Sequence, residues 1–525
     1  MGVAAVGLAC LVGLWSLRGL DAGGLVTTDA ARHAMNGALI HDWLREGPWT
    51  APGEYANWYY SRWPSLSLGY HPPVFPILEA VTFGLLGVSA FAARLLVALT
   101  AALCFFLFHR LVYKTHGSPV LSLAAGAVFA ALPVSQRVAQ DVMLEYPTLL
   151  FVLLALHALP APDSRWTPWH AVVFSASAGA AVWTKQLAVF LGAVPLLVAL
   201  GARREWLRSR AMWASTLAVG VCFLGLGGFE MAFGLDAPRR FSVFRGIPRA
   251  LLSNVPLYFG ALTRGFGAVM SVVLVAALAI TVWNRKRLLE RMTAEALYWA
   301  WAIAVLAALI PGKWSSIRYL FFAWPPLIVL TLSSAHRFLR WALPERVAVL
   351  GLVTFAAALC AVGLGRPTGE YRGPAAAADI VAADHPTRVL YCGEADGHFA
   401  FALRAAAGSS EPIVIRGEKL PAATLTRAAF DDFAARYGLS HVVLEDTARS
   451  TDCTALIAAP SPALARLGGL PISGVRTGSL HLFRFTRPSA TPANRLRVSS
   501  DKMGNATQLT LDWSTPPWRG KSAVP

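Results

Sequence analysis

Charge is what this sequence has least of. Only 14% of its 525 residues are Asp, Glu, Lys or Arg, where soluble domains carry roughly a quarter, so water solvates little of the chain. Acids are the scarcer sign, with 29 Asp and Glu against 46 Lys and Arg. Cysteine is rare too: six in the whole chain, none spaced like the ligands of a zinc or iron–sulfur site. No internal repeat is visible, which argues against the duplicated halves common among transporters. These scarcities exclude an ordinary soluble enzyme, a disulfide-dense scaffold and a cysteine-based metalloprotein.

Apolar residues are abundant instead, at 56% of the chain, and mean hydropathy is +0.51. Apolar runs fall at 3–20, 88–110, 119–134, 146–161, 169–184, 186–201, 212–232, 264–283, 295–311, 319–334 and 346–365. They predict a polytopic α-helical membrane protein of about eleven transmembrane helices, several near the short end of what crosses a bilayer. The two runs flanking Lys185 could fuse into one. Keeping them apart puts Arg203, Arg204, Arg208 and Arg210 on the same side as Arg285, Lys286, Arg287, Arg291, Arg337, Arg340 and Arg346, the cytoplasmic side by the loop-charge rule. That clustering also accounts for the net charge of +17 and sets aside a nucleic-acid partner.

Parity then places the loop at 21–87 and everything after 365 outside the cell's plasma (inner) membrane. Residues 3–20 lack a basic flank and a small-residue cleavage site, which favours an uncleaved span over a signal peptide. Outward Arg239, Arg240, Arg245, Arg249 and Arg264 run against the rule. Either only the overall bias counts, or these cations hold an anionic ligand at the interface.

After residue 365 the composition becomes that of a soluble α/β domain, spanning 366–487. Arg388–Cys392, Pro412–Ile415 and His441–Leu444 read as strands alternating with alanine-rich helices, and 470–486 as a closing hairpin. Residues 488–525 are polar and proline-containing, expected to be loosely ordered. Cys392 and Cys453 can pair if this domain is extracytoplasmic. Cys10, Cys104, Cys222 and Cys360 fall in apolar runs and read as small hydrophobes.

The loop at 21–87 belongs with the membrane module, 1–365, and is too long for a plain connector. Residues 28–46 have helical spacing, with Ala31, Met35, Leu39 and Trp43 in one stripe and Thr28 or Asp29 able to cap the N-terminus. This predicts an amphipathic helix on the bilayer surface, followed by the interfacial aromatics Trp49, Tyr55, Trp58, Tyr59, Tyr60 and Trp63. Charges beside a bilayer are costly and are therefore functional or paired with one another. Asp29 is the candidate base. Asp141 and Glu145, spaced i, i+4, share one helical face. A purely structural ion network is the competing reading for any one of them.

Asp29-Ala30-Ala31-Arg32, then Trp43, His71-Pro72-Pro73 and Phe91-Ala92-Ala93-Arg94 occur in an order that resembles the GT-C-fold glycosyltransferases. These enzymes use polyprenyl-phosphate sugars, and the likeness is greatest to protein O-mannosyltransferases and lipid A aminoarabinose transferases. Met143-Leu144-Glu145-Tyr146-Pro147, Trp183-Thr184-Lys185 and Arg318-Tyr319 with Pro325-Pro326 extend the resemblance over 1–365. The family often has Asp-Glu where this chain has Asp29-Ala30, and Asp where it has Glu145.

The resemblance implies an inverting transfer of sugar to an acceptor hydroxyl, with Asp29 taking the acceptor's proton. Lys185, Arg264, Lys313 and Arg318, at outward span ends, are candidates to hold the donor phosphate; snorkelling to the headgroup layer is their plainer role. Arg32, His71, Arg94, Asp141 and Glu145 would organise the site or orient the acceptor. A divalent cation held by His71 with Asp141 or Glu145 is left open. The implied partners are membrane lipid, a polyprenyl-phosphate sugar and an acceptor that the residues do not name. A transporter or flippase of a lipid-linked or anionic substrate is the alternative. Charges gathered at span ends rather than span centres weigh against it. In the C-terminal domain, Gly393-Glu394-Ala395-Asp396-Gly397-His398 follows a strand end, where α/β domains often bind ligands; a tight turn with incidental acids fits equally.

Overall fold

The structure, a computed structural model, describes residues 2–16, 24–67, 71–161, 164–233, 252–261, 295–311, 316–364, 371–420, 424, 426–447, 456–457, 460–474, 477–486, 492–499 and 508–514. The chain divides into two compact units. A helical unit comprises 1–18, 68–75 and 97–367, and a mixed unit comprises 19–67, 76–96 and 368–525. One boundary between the units falls between 367 and 368. Most of the loop at 21–87, expected with the membrane module, groups instead with the C-terminal α/β domain.

The helical unit follows from apolar runs punctuated by proline. Its helices include α1 (Gly2–Ser16), most of α5 (Ala90–His116), α6 (Pro119–Ala131), α7 (Pro133–Ala139), α8 (Glu145–His157), α9 (Pro168–Val182), α10 (Val194–Ala202), α11 (Arg210–Phe233), α12 (Ala296–Leu309), α13 (Trp324–Ala342) and α14 (Glu345–Leu364). Ser118 caps α6 through the Leu121 amide, and Pro133, which has no N–H to give, breaks the run so that α6 and α7 meet at 70°. Phe105, Phe129, Tyr146 and Phe321 interlock, with ring centroids 5.1–5.5 Å apart at the closest pairs.

Every expected span overlaps a helix except 264–283, which lies outside the described residues. Among the described residues, two helices are long and apolar enough to cross a membrane, or three if the bent pair is one span. Among the described residues, the expected eleven crossings are not matched by eleven helices of spanning length. The apolar runs are cut by 3₁₀ turns at Gln186–Gly192 and Ile317–Phe322.

In the mixed unit, β1 (Tyr371–Arg372), β2 (Arg388–Cys392), β3 (Ile413–Arg416), β4 (His441–Asp446), β5 (Leu464–Gly474) and β6 (Gly478–Phe485) form one sheet in the order β1-β5-β6-β4-β2-β3. Strand β2 pairs parallel with β3 and β4 and is buried at all five positions, as an interior parallel strand must be. The other pairings are antiparallel, with a bulge at Arg466–Gly468 in the β5–β6 hairpin. Helices α15 (Pro374–Ala383), α16 (Asp396–Ala407) and α17 (Arg427–Tyr437) complete the domain. Cys392 is held in a disulfide; Cys453 lies outside the described residues. Within the stretch expected to be loose, β7 (Arg495–Ser499) and β8 (Gln508–Asp512) pair antiparallel. Leu496, Leu511 and Trp513 join the domain core, and Arg388 sits 5.0 Å over the Trp513 ring.

Helix α2 (Thr28–Glu46) has the expected bounds, but its cap is Thr27, which accepts from the Ala30 amide. It is buried nearly all round rather than lying on a surface with one face wet. Its polar residues are compatible with burial because each finds partners. Asn36 exchanges hydrogen bonds with Ser67 at 3.1 and 3.0 Å. Gly37 lets α4 (Val74–Leu86) approach closely, since a Cβ there would lie 2.5 Å from that of Glu79. Asp42, 1% exposed, receives Arg404 Nε at 2.8 Å and Nη2 at 2.5 Å, the Tyr59 hydroxyl at 2.8 Å and His41 Nδ1 at 2.9 Å. Burial pushes the Asp42 carboxyl up, but the bonds from His41, Arg404 and Tyr59 outweigh it and hold it below the usual range.

Replacing Arg404 with Met leaves that carboxylate uncompensated, at a cost of about 3–5 kcal/mol. The detergent-solubilised variant is expected to melt well below wild type, and Asp42→Leu/Arg404→Met to recover most of the loss. Because its folded value is depressed, Asp42 contributes above about pH 4, and that contribution fades as pH falls through the folded value. An Arg404→Met variant melting like wild type would show the pair is dispensable.

Candidate functional site

In the helical unit the site is built on two breaks with the same local design. Helix α9 stops at Val182, the Lys185 amide still bonding Ala181 O at 2.9 Å. Lys185 itself is extended, with φ −153° and ψ 123°. A 3₁₀ turn over Gln186–Gly192 follows, then α10 with proline in its first turn. The second break runs from extended Ser316 through the 3₁₀ turn Ile317–Phe322 into α13, which also opens with proline. Proline suits a first helical turn, where no N–H is needed, and 3₁₀ segments inside apolar helices commonly mark functional positions. The rings of Phe190 and Phe322, 6.2 Å apart, set the two breaks side by side.

Glu145 opens α8 and has no exposed surface. Lys185 Nζ donates to its Oε1 at 2.6 Å, and Arg318 Nε lies 3.8 Å from the same oxygen. Lys185 also stands 5.2 Å over the Tyr319 ring and 5.8 Å over that of Phe322, so aromatic faces take part of its charge. Glu145 Oε2 has no hydrogen-bond partner among the described residues. Two cations gathered in a poorly solvated place are chemically suited to meet an anion. The His71-Pro72-Pro73 segment runs into the same neighbourhood: the Val74 amide donates to Trp183 O at 3.2 Å.

Asp141 is buried at 1% exposure, but it does not share a helical face with Glu145. It lies in a turn between α7 and α8, its carbonyl accepting the Met143 amide at 2.9 Å, so the i, i+4 relation does not apply. Among the described residues no three His, Cys, Asp or Glu converge as metal ligands, and Glu145 stands against the cations Lys185 and Arg318. Arg264 and Lys313 lie outside the described residues.

Other residues named from the sequence lie in the mixed unit. Asp29, half-buried, sits in the first turn of α2, where the helix N-terminus favours a negative charge. Arg32 follows one turn on, half-buried on the same face. Arg94, in α5, is 3% exposed.

Two residues escaped the sequence reading. Gln186 donates from Nε2 to Glu230 Oε1 at 2.6 Å, and Glu230 is 8% exposed near the end of α11. The signal was available: Glu230 is the one acid in the apolar sequence of that helix, and ionisable residues in such helices are functional or paired.

Residues 70–225 match the family model of the dolichyl-phosphate-mannose-protein mannosyltransferases. No curated protein matches the chain in sequence. In fold the chain is similar to ArnT from Cupriavidus metallidurans bound to undecaprenyl phosphate, with TM-score 0.56 and 17% identity over 91% of this chain and 97% of that one. The apo state of the same protein gives TM-score 0.55, with the same identity and coverage. An Archaeoglobus fulgidus oligosaccharyltransferase tethered to an acceptor peptide gives TM-score 0.50 and 14% identity over 84% of this chain and 69% of that one. The fold is that of the GT-C glycosyltransferases, a polytopic membrane class, and the motifs quoted from the sequence resemble the same group.

Lys185→Met strands the Glu145 carboxylate in the dry interior, a loss of about 3–5 kcal/mol. The expected outcome is a lowered melting midpoint in detergent, largely restored in Glu145→Gln/Lys185→Met. A single variant as stable as wild type would mean that the 2.6 Å contact carries no structural weight.

Proposed function

We propose that this chain is an inverting glycosyltransferase that moves a sugar from a polyprenyl-phosphate donor to an acceptor hydroxyl on the extracytoplasmic side of the plasma (inner) membrane. The observation that carries the proposal is the buried Glu145–Lys185 ion pair with half-buried Arg318 beside it. A fold shared with a protein bound to undecaprenyl phosphate supports it, as does the mannosyltransferase family match over 70–225. The acceptor is a glycan, lipid or protein hydroxyl.

In this mechanism the acceptor oxygen attacks the anomeric carbon from the face opposite the phosphate. The new C–O bond forms as the bond to the phosphate oxygen breaks, the acceptor's proton passes to Asp29, and polyprenyl phosphate leaves as an anion. Lys185 and Arg318 stabilise the charge that grows on the phosphate; cations held ready in a dry site do this without reorganising. Arg264 and Lys313 are proposed to add to this cradle. Arg32, His71, Arg94 and Asp141 are assigned to organising the site or the acceptor. The unpaired Oε2 of Glu145 is suited to accept a hydrogen bond from a sugar hydroxyl.

Topology rests on two independent supports: the cytoplasmic bias of the basic loops, and a disulfide at Cys392, a bond that persists in oxidising compartments.

Asp29→Asn is expected to lower transfer from a polyprenyl-phosphate sugar by roughly 10²–10⁴-fold with an unchanged melting midpoint. Wild-type turnover in that variant would discard the base assignment. In the same membrane vesicles, protease is expected to reach beyond Arg388 only from the extracytoplasmic face; cleavage confined to inverted vesicles would reverse the topology.

A further inference from the structure

Lys185 is aimed by backbone outside any regular α-helix, and α11 grips that backbone from the side. The Lys185 amide closes on Ala181 O at 2.9 Å, and its carbonyl accepts the Ala188 amide at 3.0 Å. Between these two bonds the residue is extended, and neighbouring side chains in an extended segment point to opposite sides. Lys185 Nζ reaches Glu145 Oε1 at 2.6 Å, while Gln186 Nε2 reaches Glu230 Oε1, also at 2.6 Å. Two adjacent side chains thus end on carboxylates of two different helices, α8 and α11.

Helix α11 follows the break along one face. At the end of the 3₁₀ turn, a Cβ at Gly192 would lie 3.4 Å from Val219 Cγ1. Cys222 O accepts the Trp183 indole N–H at 3.1 Å, and a Cβ at Gly225 would lie 3.7 Å from that indole ring. The Phe229 ring stands 5.8 Å from it. Residues 219, 222, 225 and 229 recur at helical spacing, so they share a face. Apolar contact of this kind is non-directional. The Gln186–Glu230 bond adds a directional grip on the residue next to Lys185. Glu230 is 8% exposed and is the one acid in its helix. Hydrogen bonds to a carboxylate are shorter and about twice as strong as neutral ones, which suits an acid to that grip.

We infer that Glu230 is a positioning residue for donor binding: through Gln186 it fixes the extended break that aims Lys185 at the lipid phosphate. Its contribution to donor affinity passes through Lys185 and vanishes where Lys185 is absent. The inference rests on the function proposed above.

The test measures binding of undecaprenyl phosphate to the full-length protein in nanodiscs. Glu230→Leu is expected to weaken it roughly tenfold, the lower end of what one charge-assisted hydrogen bond contributes. Glu230→Gln keeps an acceptor for Gln186 and is expected within about threefold of wild type. A general structural role is separated by combining Glu230→Leu with Glu145→Gln/Lys185→Met. Losses at independent sites add, whereas those of coupled residues do not, so the added substitution is expected to change affinity by less than about twofold. A further loss as large as that of Glu230→Leu alone overturns the inference. So does wild-type affinity in Glu230→Leu, or a Glu230→Gln variant equally weak, which would trace the effect to charge rather than to the grip on Gln186. Should Glu230→Leu fail to fold, Gln186→Leu/Glu230→Leu replaces it throughout, since exchanging both partners for apolar groups leaves neither side of the bond unsatisfied. The Glu145→Gln/Lys185→Met pair also keeps the two claims apart. If it binds weakly while Glu230→Leu binds normally, only the positioning role falls; if it binds like wild type, the phosphate assignment fails first and the inference with it.

Discussion

A carboxylate with no exposed surface survives among apolar helices only if cations stand against it. Glu145 has Lys185 at 2.6 Å and Arg318 at 3.8 Å, and much of the helical unit's irregularity serves that arrangement. A regular α-helix through Lys185 or Arg318 would bond the backbone internally and carry both side chains along a continuous rod. The chain instead stops α9, extends one residue, turns in 3₁₀ form and restarts with proline, and then repeats the device before α13. Removing two cations and an acid from water is expensive, and the return in stability is small. Such a cluster suits the proposed phosphate-binding role better than a purely stabilising one.

The mixed unit solves a related problem with stronger geometry. Asp42 is met by a two-pronged guanidinium, a tyrosine hydroxyl and an imidazole, so few of its lone pairs are left unsatisfied. This network joins the first long loop to the α/β domain, and it explains why that loop groups with the C-terminal residues despite lying more than 300 positions before them. A second close approach lies nearer the start of α2, where a Cβ at Gly397 would sit 3.7 Å from that of Ala31. Both lie on the helix whose first turn carries Asp29.

Much of this was legible in the sequence, for identifiable reasons. Strand β2 was read with its bounds because Arg388 is followed by the apolar run Val389–Cys392. Helix α2 was read with its bounds because its spacing is helical. Its surroundings were not legible, since partners such as Arg404 and Ser67 are distant in sequence and a local stripe cannot reveal them. The same limit hid the Gln186–Glu230 pair. Lys185 and Arg318 stood out because charges are rare in apolar runs, whereas their convergence on Glu145 depends on helix breaks that composition does not encode. The i, i+4 relation of Asp141 and Glu145 failed because it assumed one continuous helix where a turn intervenes. The tail beyond 488 read as loose because it is polar and proline-containing, yet its described residues Leu496, Leu511 and Trp513 join the domain core.

The central claim is that Lys185 and Arg318 hold the phosphate of a polyprenyl donor. Binding of undecaprenyl phosphate to the purified protein in nanodiscs tests it directly, comparing wild type with Arg318→Gln and with the charge-matched pair Glu145→Gln/Lys185→Met. Each charge-assisted hydrogen bond contributes about 1.5–3 kcal/mol, so both variants are expected to bind roughly 10–100-fold more weakly. Wild-type affinity in both would contradict the account and leave the buried ion cluster as structure alone.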